Sequence, residues 1–113
     1  MSSDITNFFL KDSMATGTDL VKEIVKAYKP APHVWVVRTN VYGGSLRVKG
    51  LPAGFADIMA LCRNGRTVFI ETKSKHEKQL SAQKDFEGRV KALGFEYYTI
   101  RTRAEFDEII NHY

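Results

Sequence analysis

Two acidic residues punctuate an otherwise strand-forming segment, Phe55 to Lys73, which reads FADIMALC-RNG-RTVFIETK. Ile58, Val68, Phe69 and Ile70 favour extended backbone, and Asn64-Gly65 marks a tight turn between two short strands. Asp57 opens the first strand, while Glu71 and Lys73 close the second. A buried carboxylate without a partner is costly, so two of them at one end of a hairpin need a chemical reason. A divalent metal ion supplies one, because hard cations take oxygen ligands.

The length of the turn decides whether that reason holds. A two-residue Asn64-Gly65 turn sets Asp57 opposite Thr72, and Glu71 and Lys73 then point away from Asp57. A three-residue loop, Arg63-Asn64-Gly65 with Gly65 left-handed in a bulge, sets Asp57 opposite Glu71. That register, or a bulge elsewhere in the hairpin, gathers Asp57, Glu71 and Lys73 on one face.

The 113 residues suit one domain, 1–113, with residues 1–16 as an N-terminal arm. Cys62, the only cysteine, excludes an intrachain disulfide and a multi-cysteine zinc site, and reads as a small buried apolar residue. His33, His76 and His112 lack metal-ligand spacing. No apolar run reaches membrane-spanning length, and MSSDITNFFLKD does not resemble a signal peptide. The expected location is therefore the cytoplasm, of a bacterium or a phage-infected host, with no membrane partner. The net charge is +4, and its distribution says more. Between Ile24 and His76 there are nine basic residues against two acids, Asp57 and Glu71. That imbalance suits a polyanion such as nucleic acid, although a solvated surface explains the charge equally well.

Along the rest of the chain, Ile5, Phe8, Phe9 and Leu10 make the arm apolar enough to pack on the domain or on a second subunit. Thr18 to Lys29 reads as a helix stopped by Pro30 and Pro32, with Leu20, Ile24 and Ala27 inward. Glu23 falls within that stripe, either at its edge or near a cation. His33 to Tyr42 reads as a strand broken by Gly43-Gly44, followed by a basic stretch with Arg47 and Lys49. Ser81 caps a helix over Ala82 to Leu93 with Phe86, Val90 and Leu93 inward, and Gln83 lies on the same stripe. Phe95 to Ile100 is a strand. Thr102 and Glu105 form a capping box for a last helix that buries Phe106, Ile109 and Ile110. The expected fold class is α/β, a central mixed sheet flanked by helices. Trp35 and the Tyr97-Tyr98 pair read as core or sheet-face residues rather than base-stacking platforms.

Asp57 followed by Glu71-Thr72-Lys73 fits the pattern of the PD-(D/E)XK nucleases, and the segments around it resemble the VRR-NUC (virus-type replication-repair nuclease) domain of that superfamily. The matching pieces are WVVRTN at Trp35, GFAD at Gly54, NGRTVFIETK at Asn64, QLSAQKDF at Gln79 and LGFEYYTIRT at Leu93, together with the helical Glu23. Ala56 departs from the pattern, where the family usually has proline before the aspartate. The resemblance implies a restriction-endonuclease-like core and a Mg2+- or Mn2+-dependent endonuclease.

Phosphodiester hydrolysis needs a water nucleophile and stabilisation of charge on phosphate oxygens. Asp57, Glu71 and the Thr72 carbonyl would ligate the metal, with Glu23, on the resemblance, joining directly or through water. Lys73 would orient the attacking water, and Gln83 would hold Lys73 or that water. Arg38, Arg47, Lys49 and Lys75 are candidate phosphate contacts. Simpler roles exist for each: Asp57 as a turn cap, Glu71 and Lys73 as a same-face strand pair, Gln83 as a solvent-facing helix residue. A core this small has little room to read base sequence, so branched DNA is the expected substrate. Stand-alone members of the superfamily suggest a homodimer cutting four-way junctions. The alternatives are a flap or single-strand-nicking nuclease, and a non-catalytic DNA-binding module.

Overall fold

The computed structural model describes residues 17–39, 50–74 and 76–112. In chain order these form α1 (Gly17–Tyr28), β1 (Val34–Arg38), β2 (Ile58–Cys62), β3 (Thr67–Thr72), α2 (Ser81–Ala92), β4 (Glu96–Ile100) and α3 (Arg103–Asn111). The sequence of helix, strand, hairpin, helix, strand, helix is the expected one. The four strands make one mixed sheet in the order β1-β2-β3-β4. Strands β1 to β3 are antiparallel, and β4 runs parallel to β3, reached through α2 as a crossover needs.

The hairpin takes the three-residue register. Arg63–Gly65 forms a single 3-10 turn, the Cys62 N–H donates to the Arg66 carbonyl at 2.8 Å, and Ile58 pairs with Ile70. Gly65 is left-handed at φ 76, and so is Asn64 at φ 64, a conformation that asparagine tolerates better than most residues. Asp57 precedes Ile58 by one residue and Glu71 follows Ile70 by one, so the two acids stand opposite each other.

Side-chain alternation divides the sheet into two faces. On one, Val34, Ile58, Ala60, Val68, Ile70 and Ile100 pack against Leu20, Val21, Ile24 and Tyr28 of α1 and Phe106 and Ile110 of α3. Each fully buried aliphatic side chain there contributes about 1.5–3 kcal/mol. The stripe on α1 is wider than Leu20, Ile24 and Ala27: Val21 and Tyr28 are buried and Ala27 is half-buried. Tyr28 ties α1 to α3, its hydroxyl donating to Asp107 Oδ1 at 2.5 Å and its ring meeting Phe106 edge-on at 5.1 Å. The α3 capping box is present, with the Glu105 N–H on Thr102 Oγ1 at 3.2 Å and the Thr102 N–H on Glu105 Oε1 at 3.0 Å.

Arg66 locks this layer. Its guanidinium makes a bidentate pair with Glu96 at 2.6 and 2.8 Å and donates to the Ile109 carbonyl near the C-terminus of α3 at 2.9 Å. One of the basic residues counted toward a polyanion surface therefore has a structural role.

The other face is covered in part by α2. Phe69, Tyr97 and Met59 meet Phe55, Phe86 and Val90. The Phe69 ring stands edge-on to Phe86 at 5.4 Å and to Phe95 at 5.8 Å. Two expectations change here. Leu93, placed inward by its spacing, is 75% exposed. It follows the last helical residue, the chain turns at Gly94 with φ 93, and Phe95 rather than Leu93 reaches the Phe69 ring. The N-cap of α2 is Leu80 and not Ser81; Gln83 supplies the cap contact by accepting the Leu80 N–H at 2.8 Å. The first strand is extended over Val34–Arg38 only, and the expected continuation to Tyr42 lies, like the N-terminal arm, outside the described residues. Among the described residues no helix is long and apolar enough to cross a membrane.

Candidate active site

The site lies where β2 begins and β3 ends, on the face covered by α2. Glu71 is buried at 2% exposure, Thr72 at 3% and Lys73 at 5%, whereas Asp57 is half-buried. Asp57 is held by its neighbour across the hairpin. Its Oδ2 accepts the Thr72 backbone N–H at 2.9 Å and the Thr72 hydroxyl at 2.8 Å. Its own carbonyl accepts the Thr39 N–H at 2.9 Å, which ties the residue to the end of β1. Lys73 continues the β3–β4 ladder by one residue, its N–H donating to the Ile100 carbonyl at 3.0 Å.

Glu71 is held from α2. Gln83 Nε2 donates to Glu71 Oε1 at 3.1 Å. Because Gln83 Oε1 already accepts the Leu80 N–H, its amide group presents a donor to Glu71. The remaining Glu71 oxygen, Oε2, is buried and has no hydrogen-bond partner among the described residues. Burial pushes the Glu71 carboxyl up to about 9, and the charge of the adjacent Asp57 adds to the rise. The Lys73 ammonium works in the opposite direction and does not offset them.

The helix that brings Gln83 to this position docks through a glycine. Gly54, at φ 78, lies so close to α2 that an added Cβ would sit 2.2 Å from the Ala82 carbonyl oxygen. Only glycine permits this approach, and it sets the loop leading to Asp57 against the first turn of α2.

The structure brings Asp57, Glu71, Thr72, Lys73 and Gln83 together. Gln83 donates to Glu71, and its oxygen is on the Leu80 N–H rather than on Lys73. Thr72 enters the site through its N–H and hydroxyl, which orient Asp57. Glu23 is exposed on α1, and among the described residues no third His, Cys, Asp or Glu joins the pair in a metal-holding cluster. Arg38 sits at the site end of β1, paired with Ile58, whereas Arg47, Lys49 and Lys75 lie outside the described residues.

Three further residues reach the site. Glu77 raises Glu71 by its charge; its own carboxyl is held below the usual range first by hydrogen bonds from Ser74, whose N–H donates at 2.8 Å. The spacing Ser74-x-x-Glu77 is a capping pattern that could have signalled this contact. Burial pushes Tyr97 up to about 12, and the charge of Glu71 adds to it. Arg101 follows β4 at the same end of the sheet and donates to the Glu77 carbonyl at 2.7 Å.

The donor set suits a hard divalent cation. Two carboxyls stand opposite each other, one buried oxygen lacks a partner among the described residues, and a protonated Glu71 is the state expected when no cation replaces its proton.

A mixed four-stranded sheet with helices on both faces, and an acidic pair at the β2–β3 end, place the chain in the α/β class. Neither a protein-family model nor a curated protein matches the sequence. A solved structure described as a VRR_NUC domain does match, at 22% identity and a TM-score of 0.64, over 88% of this chain and 99% of that one. The chain therefore has the VRR-NUC fold.

Proposed function

We propose that this protein is a metal-dependent DNA endonuclease that hydrolyses phosphodiester bonds at branched DNA, four-way junctions in particular. The observation that carries the reading is the Asp57–Glu71 carboxyl pair, with Glu71 Oε2 buried and, among the described residues, unpartnered. The VRR-NUC fold supports the reaction class, and the basic balance of the chain supports a polyanionic substrate.

Asp57 and Glu71 are the residues that would hold the ion, with Glu23 contributing at most through water. Bound there, Mg2+ or Mn2+ supplies Lewis-acid stabilisation of phosphate charge and a more acidic water. Thr72 fixes Asp57, and Gln83 fixes Glu71, so both carboxyls are oriented before substrate arrives. Lys73 Nζ orients the attacking water and offsets charge on the phosphate. Arg38 and Arg101, at the same end of the sheet, join Arg47, Lys49 and Lys75 as candidate phosphate contacts.

A branched substrate with two-fold character is cut symmetrically by two sites related by a similar axis, so the active form is a homodimer. The apolar arm Ile5, Phe8, Phe9 and Leu10, or α1, contributes to its interface. Sedimentation at micromolar concentration should return twice 12.8 kDa. A monomer mass, with junction cleavage unchanged after removal of residues 1–13, rejects the dimer.

The function itself is tested with labelled duplex, flap and four-way junction DNA, each in Mg2+, Mn2+ or chelator. Product from the junction, dependent on metal, is the expected result. Preferential cutting of the flap makes the protein a flap nuclease. Binding without product in either metal makes it a non-catalytic DNA-binding module.

A further inference from the structure

Trp35 is the chain's only tryptophan, and it is 70% exposed. It stands on β1 opposite Leu61 of β2. Alternation along the strands puts Trp35, Leu61 and Thr67 on the sheet face that carries Asp57, Glu71 and Lys73. The cover that α2 gives this face is centred on Phe69 and Tyr97, leaving the Trp35 end open. An open groove of about 270 Å³ runs beside the indole, lined among others by Pro32, His33, Leu61, Cys62 and Arg63.

The chemistry of this groove narrows its occupant. An indole this exposed offers a large, flat aromatic contact surface. Among the described residues no carboxylate lines the groove, Arg63 lies in its wall, and in the sequence from Ala31 to Cys62 the only acid is Asp57, at the other end of the strands. A flat indole with a guanidinium in the groove wall beside it matches an unpaired base on a phosphate backbone, since every base has a π-face and every linkage an anion. Four residues separate Leu61 from Asp57, which is about 13 Å along the strand, or roughly four stacked nucleotides.

We propose that Trp35 is a stacking platform for an unpaired base of a DNA single strand that runs along the sheet face toward the carboxylate end. The identity of the polymer rests on the nuclease reading; the contact itself does not depend on catalysis. The site would favour substrates that present single-stranded nucleotides beside the cut, as the centre of a branched structure does.

Because the chain holds one tryptophan, its indole fluorescence reports the contact directly. The full chain is titrated in chelator with a short oligothymidylate and, separately, with blunt duplex, and binding is followed in parallel by anisotropy of the labelled DNA. Saturable quenching by the oligothymidylate, much weaker with duplex, is the expected result. Trp35→Ala should weaken oligothymidylate binding about tenfold, whereas Trp35→Phe, which keeps a stacking ring, should stay within about threefold of wild type. Fluorescence unchanged at saturating oligothymidylate, or equal affinity in Trp35→Ala, overturns the proposal. So does a spectral change that follows protein concentration without DNA, since a second copy of the chain then covers the indole. Quenching together with no cleavage of any DNA in Mg2+ or Mn2+ leaves the stacking site standing and removes the nuclease reading.

Discussion

Gln83 joins two structures with one amide: Nε2 donates to Glu71 Oε1 at 3.1 Å, and Oε1 accepts the Leu80 N–H at the start of α2 at 2.8 Å. The helix cap and the carboxylate orientation are thus one interaction. Gln83→Leu should lower cleavage about 10- to 100-fold and raise the metal concentration needed for half-maximal rate. Rates measured across a magnesium series separate this from simple loss of a cap. A variant with a lower melting temperature and an unchanged metal dependence would show that Gln83 serves the helix alone.

The raised Glu71 pKa makes the metal-free protein sensitive to pH in a defined window. In the unfolded chain the carboxyl ionises near 4.5, and in the fold it ionises at about 9. Between those values the native state holds a proton that the unfolded state has lost, so stability falls as pH rises. Melting of the chelated protein should therefore move to lower temperature from pH 5 to pH 9, and Glu71→Gln should flatten the slope. A divalent cation displaces the same proton, so its stabilisation should be larger at pH 8 than at pH 6. Melting curves that are parallel at all pH values with and without metal would contradict this.

Lys73 is buried, yet its ammonium reaches both Glu71 and Glu77 by charge. Lys73→Ala should lower turnover by orders of magnitude at saturating metal while sparing metal affinity. If turnover stays near the wild-type value, Lys73 is a charge partner for the two acids and no more.

Gly54 and Gly65 are both left-handed, at φ 78 and φ 76, but their surroundings differ. At Gly65 an added methyl meets nothing within 4 Å, so Gly65→Ala should cost only the left-handed backbone penalty, about 1–2 kcal/mol. At Gly54 the methyl meets the backbone of α2, so Gly54→Ala should cost more than Gly65→Ala and should displace the helix that carries Gln83. Denaturant midpoints of the two variants compare the costs. Equal midpoints would mean that α2 is free to move.

Much of this arrangement was legible in the chain because it follows from local rules. The chain allowed a two- or a three-residue turn, and the three-residue Arg63-Asn64-Gly65 loop, which places Asp57 opposite Glu71, is the one the structure takes. Thr102 with Glu105 marked the start of α3, and the order of elements followed from periodicity and turn residues. What was not legible depends on tertiary placement. Gln83 looked like a partner for Lys73, because spacing puts it on the inward stripe without saying which carboxylate lies beneath. That Thr72 also holds Asp57 through its N–H and hydroxyl has no sequence mark, because it depends on how the two strand ends meet. Trp35 was read as a core or sheet-face residue; it stands on the sheet but at the surface, because the α2 cover is centred on Phe69 and Tyr97. Leu93 had the inward spacing, but the helix ended one residue too early. Glu23 was open between the edge of the α1 stripe and a place near a cation; its exposed side chain agrees with the edge.

The claim that most of this rests on is that Asp57 and Glu71 form a catalytic metal site. It is tested most directly by single-turnover cleavage of four-way junction DNA at saturating Mg2+ by wild type, Asp57→Asn and Glu71→Gln. The variants should fold, bind the junction at least as well as wild type, and give no product above the chelator blank. Product formed by either variant at the wild-type rate would contradict the account.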